Sequence, residues 1–187
     1  MEDISKEILI RASQGESQAF EELYKASSSF VYNVAFRVVN NREDALEVAQ
    51  EVFMIIHHKL KTFRFESSFK TWAYRITANY AINFAKKNSR AKTVPYEDSY
   101  GEGAVLSEAQ TRMDQEHQSQ MLEKLLAELN PDQRACVVLR DIQGLSYEEV
   151  AQALKININT VRSRLKRSRE KLLALRKQVN YEKVLIL

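Results

Sequence analysis

The residues of this chain best suited to chemistry are its cations, and they are bunched. Residues 155–177 hold nine Lys or Arg and a single acid, Glu170. Positive charge at that density repels itself unless it faces a polyanion, and nucleic acid is the expected one. The spacing around the block is as informative as its charge. Val150, Leu154, Ile156, Val161 and Leu165 fall where a short helix and a second helix must pack across the turn Lys155-Ile156-Asn157. That is a helix-turn-helix pattern. It turns Thr160, Arg162, Ser163, Lys166 and Arg167 outward from the early turns of the second helix, which enter the major groove in this motif. Arg pairs bidentately with guanine, and Ser both donates and accepts. Arg164, Arg169 and Lys171 point elsewhere, toward phosphates or solvent. Lys155 and Asn159 stand at turn positions often held by glycine. Local strain is expected there, because Lys tolerates a left-handed backbone less well than Asn.

Other chemistries find no footing. His57 and His58 are neighbours, which a helix turns about 100° apart, and His117 stands alone. No Cys/His cluster, glycine-rich phosphate loop or nucleophile–base pattern occurs, so neither catalysis, a metal nor a cofactor is expected. The single cysteine, Cys136, lies in the apolar run Ala135-Cys136-Val137-Val138-Leu139 and reads as a buried hydrophobe. It cannot form an internal disulfide, which fits a reducing compartment. The N-terminus lacks a signal segment and no run of 18 apolar residues exists, so a cytoplasmic location is expected.

The elements that must position these residues are helices. With 44% hydrophobic and 28% charged residues the 187-residue chain has a globular composition, and no stretch alternates with period two. The expected fold is all-α, two small helical domains joined by a flexible linker. A short helix covers Ile4–Ser13. Ser17 caps a longer one to Val39, with Phe20, Leu23, Tyr24, Val31, Val34, Ala35 and Val38 on its apolar face. A third helix runs from Glu43 to Leu60, with Leu46, Ala49, Phe53 and Ile56 on one face. A fourth begins at Phe69 behind a Ser67 or Ser68 cap. In the second domain Asn130-Pro131-Asp132-Gln133 is a helix start, and Ser146-Tyr147-Glu148-Glu149 is a capping box. The net charge of +3 is unevenly spread. Residues 1–90 carry 13 basic and 11 acidic groups, residues 91–120 two and six, residues 121–187 thirteen and eight. The acidic middle holds Pro95, Gly101 and Gly103 and no apolar period. The expected division is therefore a domain over 1–90, a linker over 91–115, a helix-turn-helix domain over 116–180 and a tail over 181–187. The tail's Val184-Leu185-Ile186-Leu187 is unusually apolar and could pack on the second domain, meet a partner or fray.

Two separated motif sets, in order, carry a family resemblance across nearly the whole chain. In the first domain they are Ala19-Phe20-Glu21-Glu22-Leu23-Tyr24, Asp44-Ala45-Leu46-Glu47-Val48-Ala49-Gln50-Glu51-Val52-Phe53 and Ser67-Ser68-Phe69-Lys70-Thr71-Trp72. In the second they are Leu139-Arg140-Asp141-Ile142-Gln143-Gly144-Leu145-Ser146-Tyr147-Glu148-Glu149 and Thr160-Val161-Arg162-Ser163-Arg164-Leu165. The chain resembles the extracytoplasmic-function (ECF) class of bacterial sigma factors. The resemblance is to the compact class, which implies a protein without the extra domains of larger sigma factors.

The resemblance implies that the third helix docks on a coiled coil of the largest subunit of core RNA polymerase. Asp44, Glu47, Gln50, Glu51 and Met54 would form the docking rim, with the polymerase flap meeting the second domain. It implies that Phe63, Arg64, Phe65, Glu66, Ser67 and Ser68 hold a flipped base of the −10 promoter element. Flipping costs a few kcal/mol, which stacking and hydrogen bonds must offset. Phe69 and Trp72 read better as core. Asn79 and Asn83 share a helix face and suit base edges, and Lys86, Lys87 and Arg90 suit phosphates. The helix-turn-helix would read the −35 element. An anti-sigma factor, often membrane-bound in the family, would be a further partner. Elements about 17 base pairs apart lie roughly 58 Å from one another at 3.4 Å per step, and a 26-residue tether extends to roughly 85 Å, so the linker reaches. Two rival readings stay open on sequence alone: a regulator that binds DNA without joining polymerase, and a purely protein-binding helical adaptor.

Overall fold

The computed structural model describes residues 4–91 and 120–185, with side chains over 4–89 and 120–175. The expected linker and the side chains of the apolar tail fall outside the described residues.

Four helices build the first domain. Ser5 caps α1 (Lys6–Ser13) by accepting from Ile8 N at 3.3 Å, and the chain leaves it through Gly15 at φ 92°. α2 (Ser17–Val39) begins at the expected cap itself: Glu16, one residue earlier, takes the cap position, with its carboxylate held by Arg11 instead of capping. Asn40, left-handed at φ 59°, ends α2, and Asn41 caps α3 (Arg42–Lys59) by accepting from Asp44 N at 2.9 Å. Ser68 caps α4 (Phe69–Ala91) by accepting from Thr71 N at 3.1 Å. The core joins Leu23, Val31, Val34 and Val38 of α2 to Ala45, Val48, Val52 and Ile56 of α3 and to Ala73, Tyr74, Ala78 and Ala81 of α4. Each fully buried Val, Leu or Ile contributes about 1.5–3 kcal/mol by leaving water.

The second domain begins with α5 (120–127). Asn130 caps α6 (Pro131–Val137) through a reciprocal box with Gln133, and the helix loosens into a π-turn over Val138–Ile142 before Gly144. The Ser146–Glu149 capping box starts α7 (Tyr147–Leu154), and α8 (Ile158–Leu185) follows. Cys136 is fully buried, and burial pushes its thiol up to about 11.

The sequence leaves open whether the free chain is compact, and the structure packs the two domains together. α6 and α7 lie against α4, and α6 also meets α2. Four polar contacts pin the junction. The Tyr74 hydroxyl donates to Gln143 Oε1 at 2.5 Å, and Asn79 Nδ2 donates to the Ala153 carbonyl at 2.6 Å. Lys86 pairs with Asp132 at 2.6 Å. Arg134, only 8% exposed, donates to Val38 O of α2 while also donating to the carbonyls of Leu126, Ala127 and Leu129. No carboxylate among these partners neutralises it. The carbonyls at the ends of α2 and of α5 do that work, as the negative pole of a helix can, and desolvation lowers its pKa.

Candidate nucleic-acid interface

The helix-turn-helix forms as its apolar spacing requires. Val150, Leu154, Val161 and Leu165 are buried between α7 and α8, and Ile156 is half-buried. The turn is made by Lys155 itself, left-handed at φ 53°, with Lys155 N and Ile156 N donating back to the last carbonyls of α7. Strain expected at either of two positions thus falls on Lys155, while Asn159 sits inside α8. Asn157 starts α8 by accepting from Asn159 N at 2.8 Å.

The cations of α8 sort into two sets. Arg164 pairs with Asp132 at 3.2 Å, Arg169 with Asp141 at 2.6 Å and Lys171 with Glu128 at 3.6 Å. The Asp141 carboxylate holds the Arg169 guanidinium more firmly protonated than usual. These three lock α8 onto the rest of its domain. Arg162, Ser163, Lys166 and Arg167 are exposed and Thr160 is half-exposed. Arg162 donates to Asn159 Oδ1 at 3.0 Å, and Lys166 meets Glu170 at 3.9 Å with both side chains largely in solvent. Among the described residues Arg167 makes no ion pair.

A second surface runs along the loop before α4 and down that helix. Phe63, Phe69 and Trp72 form an aromatic cluster, with Phe63 5.1 Å from Trp72 and 6.4 Å from Phe69 between ring centres. Phe69 is buried and Trp72 half-buried, so both serve the core. Phe65 is different. It stands 40% exposed on a left-handed backbone at φ 57°, a conformation that is strained for a bulky residue. Lys6 of α1 lies over its ring at 5.2 Å. Beside it opens a cavity of about 230 Å³ lined by Ile4, Lys6, Phe65, Ser67, Ser68 and Lys70. Arg64, Glu66, Ser67 and Ser68 are exposed. The sequence reading missed Lys6, because nothing in its spacing ties α1 to a loop almost sixty residues on.

Asn79 and Asn83 share a face of α4, but only Asn83 is exposed. Asn79 donates to Ala153 O and to Arg75 O, and Lys86 is engaged by Asp132. Lys87 is exposed. The hollow over this face, about 390 Å³, is lined by Lys59, Trp72, Arg75, Asn79 and Asn83 and is closed on one side by Lys155.

The third surface is on α3. Glu47, Gln50 and Met54 are exposed, and Asp44 and Glu51 half-exposed. The carboxylates of Glu51 and Glu47 reach Tyr80 of α4 closely enough to help burial raise its pKa. The apolar faces read from sequence are only partly core: Leu46 is 62% exposed, and Tyr24 of α2 is 48% exposed. Ala45, Val48 and Val52 face inward in its place. Leu46 and Tyr24 instead line an apolar groove of about 920 Å³ with Phe20, Phe53, Met54 and His57. Of the polar rim read from sequence, Gln50 and Met54 border this apolar trough, while Glu47 and Glu51 lie toward Tyr80 of α4. Periodicity could not separate the two faces, since α3 carries apolar residues on both.

The chain matches the family description "Sigma-70 region 2" over residues 23–91 and "Sigma-70, region 4" over residues 119–172. It is 33% identical over 180 residues to the ECF RNA polymerase sigma-E factor of Haemophilus influenzae, covering 90% of this chain and 94% of that one. It is 32% identical over 178 residues to the corresponding factor of Escherichia coli K12, covering 90% and 93%. A third relative, the ECF sigma factor SigE of Mycolicibacterium smegmatis, is 32% identical over 162 residues, and the match spans 62% of its length. Among solved structures, CnrH in complex with the cytosolic domain of CnrY superposes with a TM-score of 0.66 at 22% identity, covering 94% of this chain and 99% of that one. The sigma factor RpoE of Bartonella quintana, solved with the anti-sigma factor NepR, gives 0.65 at 23%, covering 84% and 96%. At those identities the likeness is one of fold.

Proposed function

Because this chain belongs to the extracytoplasmic-function family of RNA polymerase sigma factors, we propose a division of its work among the three surfaces. As a member it joins core RNA polymerase and directs promoter-specific initiation, reading −35 and −10 elements. Sigma factors are initiation factors, and no chemistry on a substrate is assigned to it. Thr160, Arg162, Ser163, Lys166 and Arg167 read the −35 element in the major groove. The loop Phe63–Ser68 holds an extruded base of the −10 strand, Asn79 and Asn83 meet base edges, and Lys86 and Lys87 meet phosphates. The α3 rim of Asp44, Glu47, Gln50, Glu51 and Met54, with the groove beside it, docks on polymerase; the second domain meets the polymerase flap.

The observation that carries this assignment is the sorting of cations on α8. Arg164, Arg169 and Lys171 are spent on carboxylates of their own domain, while Arg162 and Arg167 project from the early turns with no ion pair among the described residues. An adaptor helix would have no reason to keep those two clear of carboxylates. A regulator acting without polymerase would leave the α3 groove without an occupant.

Both solved neighbours hold a second protein, an anti-sigma factor in one case, and we assign such a partner to this chain too. Among the described residues no helix is long and apolar enough to cross a membrane, and the cytoplasm is the proposed location. Run-off transcription with purified core enzyme on genomic promoter fragments tests the whole reading. The wild-type chain is expected to stimulate discrete transcripts and Leu46→Asp to lose most of that stimulation while binding duplex DNA normally. Absence of any stimulated transcript across the genome would overturn it.

A further inference from the structure

We propose that α1 supplies one wall of the −10 site: Lys6 pins the Phe65 ring at the mouth of the cavity beside it, and its ammonium meets the phosphate of the extruded nucleotide. The inference rests on the assignment of that nucleotide to the loop over 63–68, and it adds a residue from outside the loop. The first observation concerns the backbone. Phe65 holds φ 57°, in the left-handed region. Glycine occupies that region freely, whereas a β-carbon bearing a bulky ring is strained there. The strain brings no burial, since Phe65 stays 40% exposed. Its ring meets Phe63 at 4.8 Å and Lys6 at 5.2 Å. Glycine would serve better in a turn that only redirected the chain, so strain held at an exposed aromatic implies a task for the ring.

The second observation is the cavity itself, of about 230 Å³. Buried Leu9 and Phe69 give it an apolar floor. Two ammonium groups line it, Lys6 from α1 and Lys70 from α4, and no Asp or Glu does. Both lysines lie over aromatic rings, Lys70 over Tyr74 at 5.7 Å. Such a pit suits a flat, uncharged base carried on a phosphate. A lysine stem can rest on a ring while its head, with three donors and no acceptor, stays in water. Lys6 therefore keeps its place over Phe65 and still takes a phosphate as a point charge. The base enters against the open part of the Phe65 ring. Stacking there tolerates any base, because every base offers a π-face.

The third observation is where Lys6 stands. It is the first residue of α1, directly after the Ser5 cap. A cation is unfavourable at that end of a helix, where the dipole is positive. Two locally poor choices, a lysine at a helix start and a phenylalanine at a left-handed position, thus meet each other across almost sixty residues of chain. Local rules are broken in this way where function requires it. The mounting is firm. Leu9 and Ala12 bury α1 in the core of the first domain, and α1 also meets the turn Leu60–Thr62 that leads into the loop. Lys6 itself is exposed, so changing its charge leaves the packed face of α1 as it is.

The test uses the full chain with core polymerase, and core polymerase alone sets the baseline. The probes are a random-sequence 20-nucleotide single strand and the matching random duplex, with affinity measured from low to high salt. Wild type is expected to hold the strand more tightly than core alone. Lys6→Met keeps an apolar stem over the ring and removes the charge. It should make the dependence of log affinity on log salt shallower by about 0.7, the value of one single-strand phosphate. Lys6→Arg should keep the wild-type slope. Phe65→Gly suits the left-handed backbone, so it should fold with a higher urea midpoint. It should weaken strand binding at least about fivefold through lost stacking and leave the slope unchanged. All three variants should bind the duplex as wild type does. An unchanged slope in Lys6→Met overturns the role of α1, and the loop assignment then stands alone if Phe65→Gly still weakens binding. Undiminished strand binding in Phe65→Gly overturns both. So does a wild-type chain that adds nothing to the binding of core alone.

Discussion

At the residue scale the helix-turn-helix carries cations of two kinds, and their neighbours decide which is which. Arg164 and Arg169 lie on the same helix as Arg162 and Arg167, yet the first pair faces Asp132 and Asp141 and the second faces solvent. A guanidinium already paired with a carboxylate gains little from a guanine. A free one gains the full pair of hydrogen bonds. Arg162→Ala is therefore expected to cost about 1–3 kcal/mol of discrimination at one −35 base pair. Lys166→Ala, at a partly paired and mobile ammonium, should lower affinity evenly across sequences and flatten the salt slope by about one. Competition binding of −35 duplexes varied at each position, repeated at three salt concentrations, distinguishes the two patterns. Loss of discrimination in the Lys166 variant, or none in the Arg162 variant, would reverse their roles.

At the scale of elements, Lys155 shows what a turn can cost. It ends α7 at φ 53°, ψ 45°, where a β-carbon is strained and glycine is not. Lys155→Gly is expected to raise stability by roughly 0.5–1 kcal/mol, the strain relieved less the extra freedom of the unfolded chain. Urea unfolding followed by circular dichroism checks it, with the midpoint rising and the slope unchanged. A lower midpoint would mean that the lysine's contact with the α4 hollow outweighs the strain.

The same element shows how much was legible beforehand. Caps and punctuation announced themselves: Asn130, Ser146 and Gly144 stand where their chemistry demands, and the buried quartet Val150, Leu154, Val161 and Leu165 follows from spacing alone. The outward set on α8 was equally visible, because helical geometry fixes direction once the packed face is known. Leu46 was not. A leucine on α3 counts as core by composition, and only the third dimension reveals a face with no helix opposite it. Arg134 was hidden for the opposite reason. A charged residue reads as surface, and its burial depends on carbonyls that arrive from the ends of two separate helices. Contacts between the domains were the least legible, since Asn79 and Ala153 are 74 residues apart with no shared motif.

At the scale of the molecule the two states demand opposite things of the connection between α4 and α5. The docked state needs its ends near enough for Lys86 to meet Asp132. The promoter-bound state needs them far apart, because elements separated by about 17 base pairs lie roughly 58 Å from one another along the duplex. Residues 92–119 join the two helices, a run of 28. Fully extended, such a run covers about 92 Å at roughly 3.3 Å per residue, and half of it covers about 46 Å. Deleting 14 residues from 99–112 should therefore leave docking intact and put the promoter span out of reach. The expected result is a folded free chain by circular dichroism, unchanged binding to an isolated −35 duplex, and loss of run-off transcription. A promoter whose elements are moved closer by one helical turn, about 34 Å, should recover transcription from the shortened chain and from it alone. Transcription by the shortened chain at the natural spacing would show that the second domain does not hold the −35 element while α4 holds the −10 strand. The spacing of the promoter would then be set by polymerase alone.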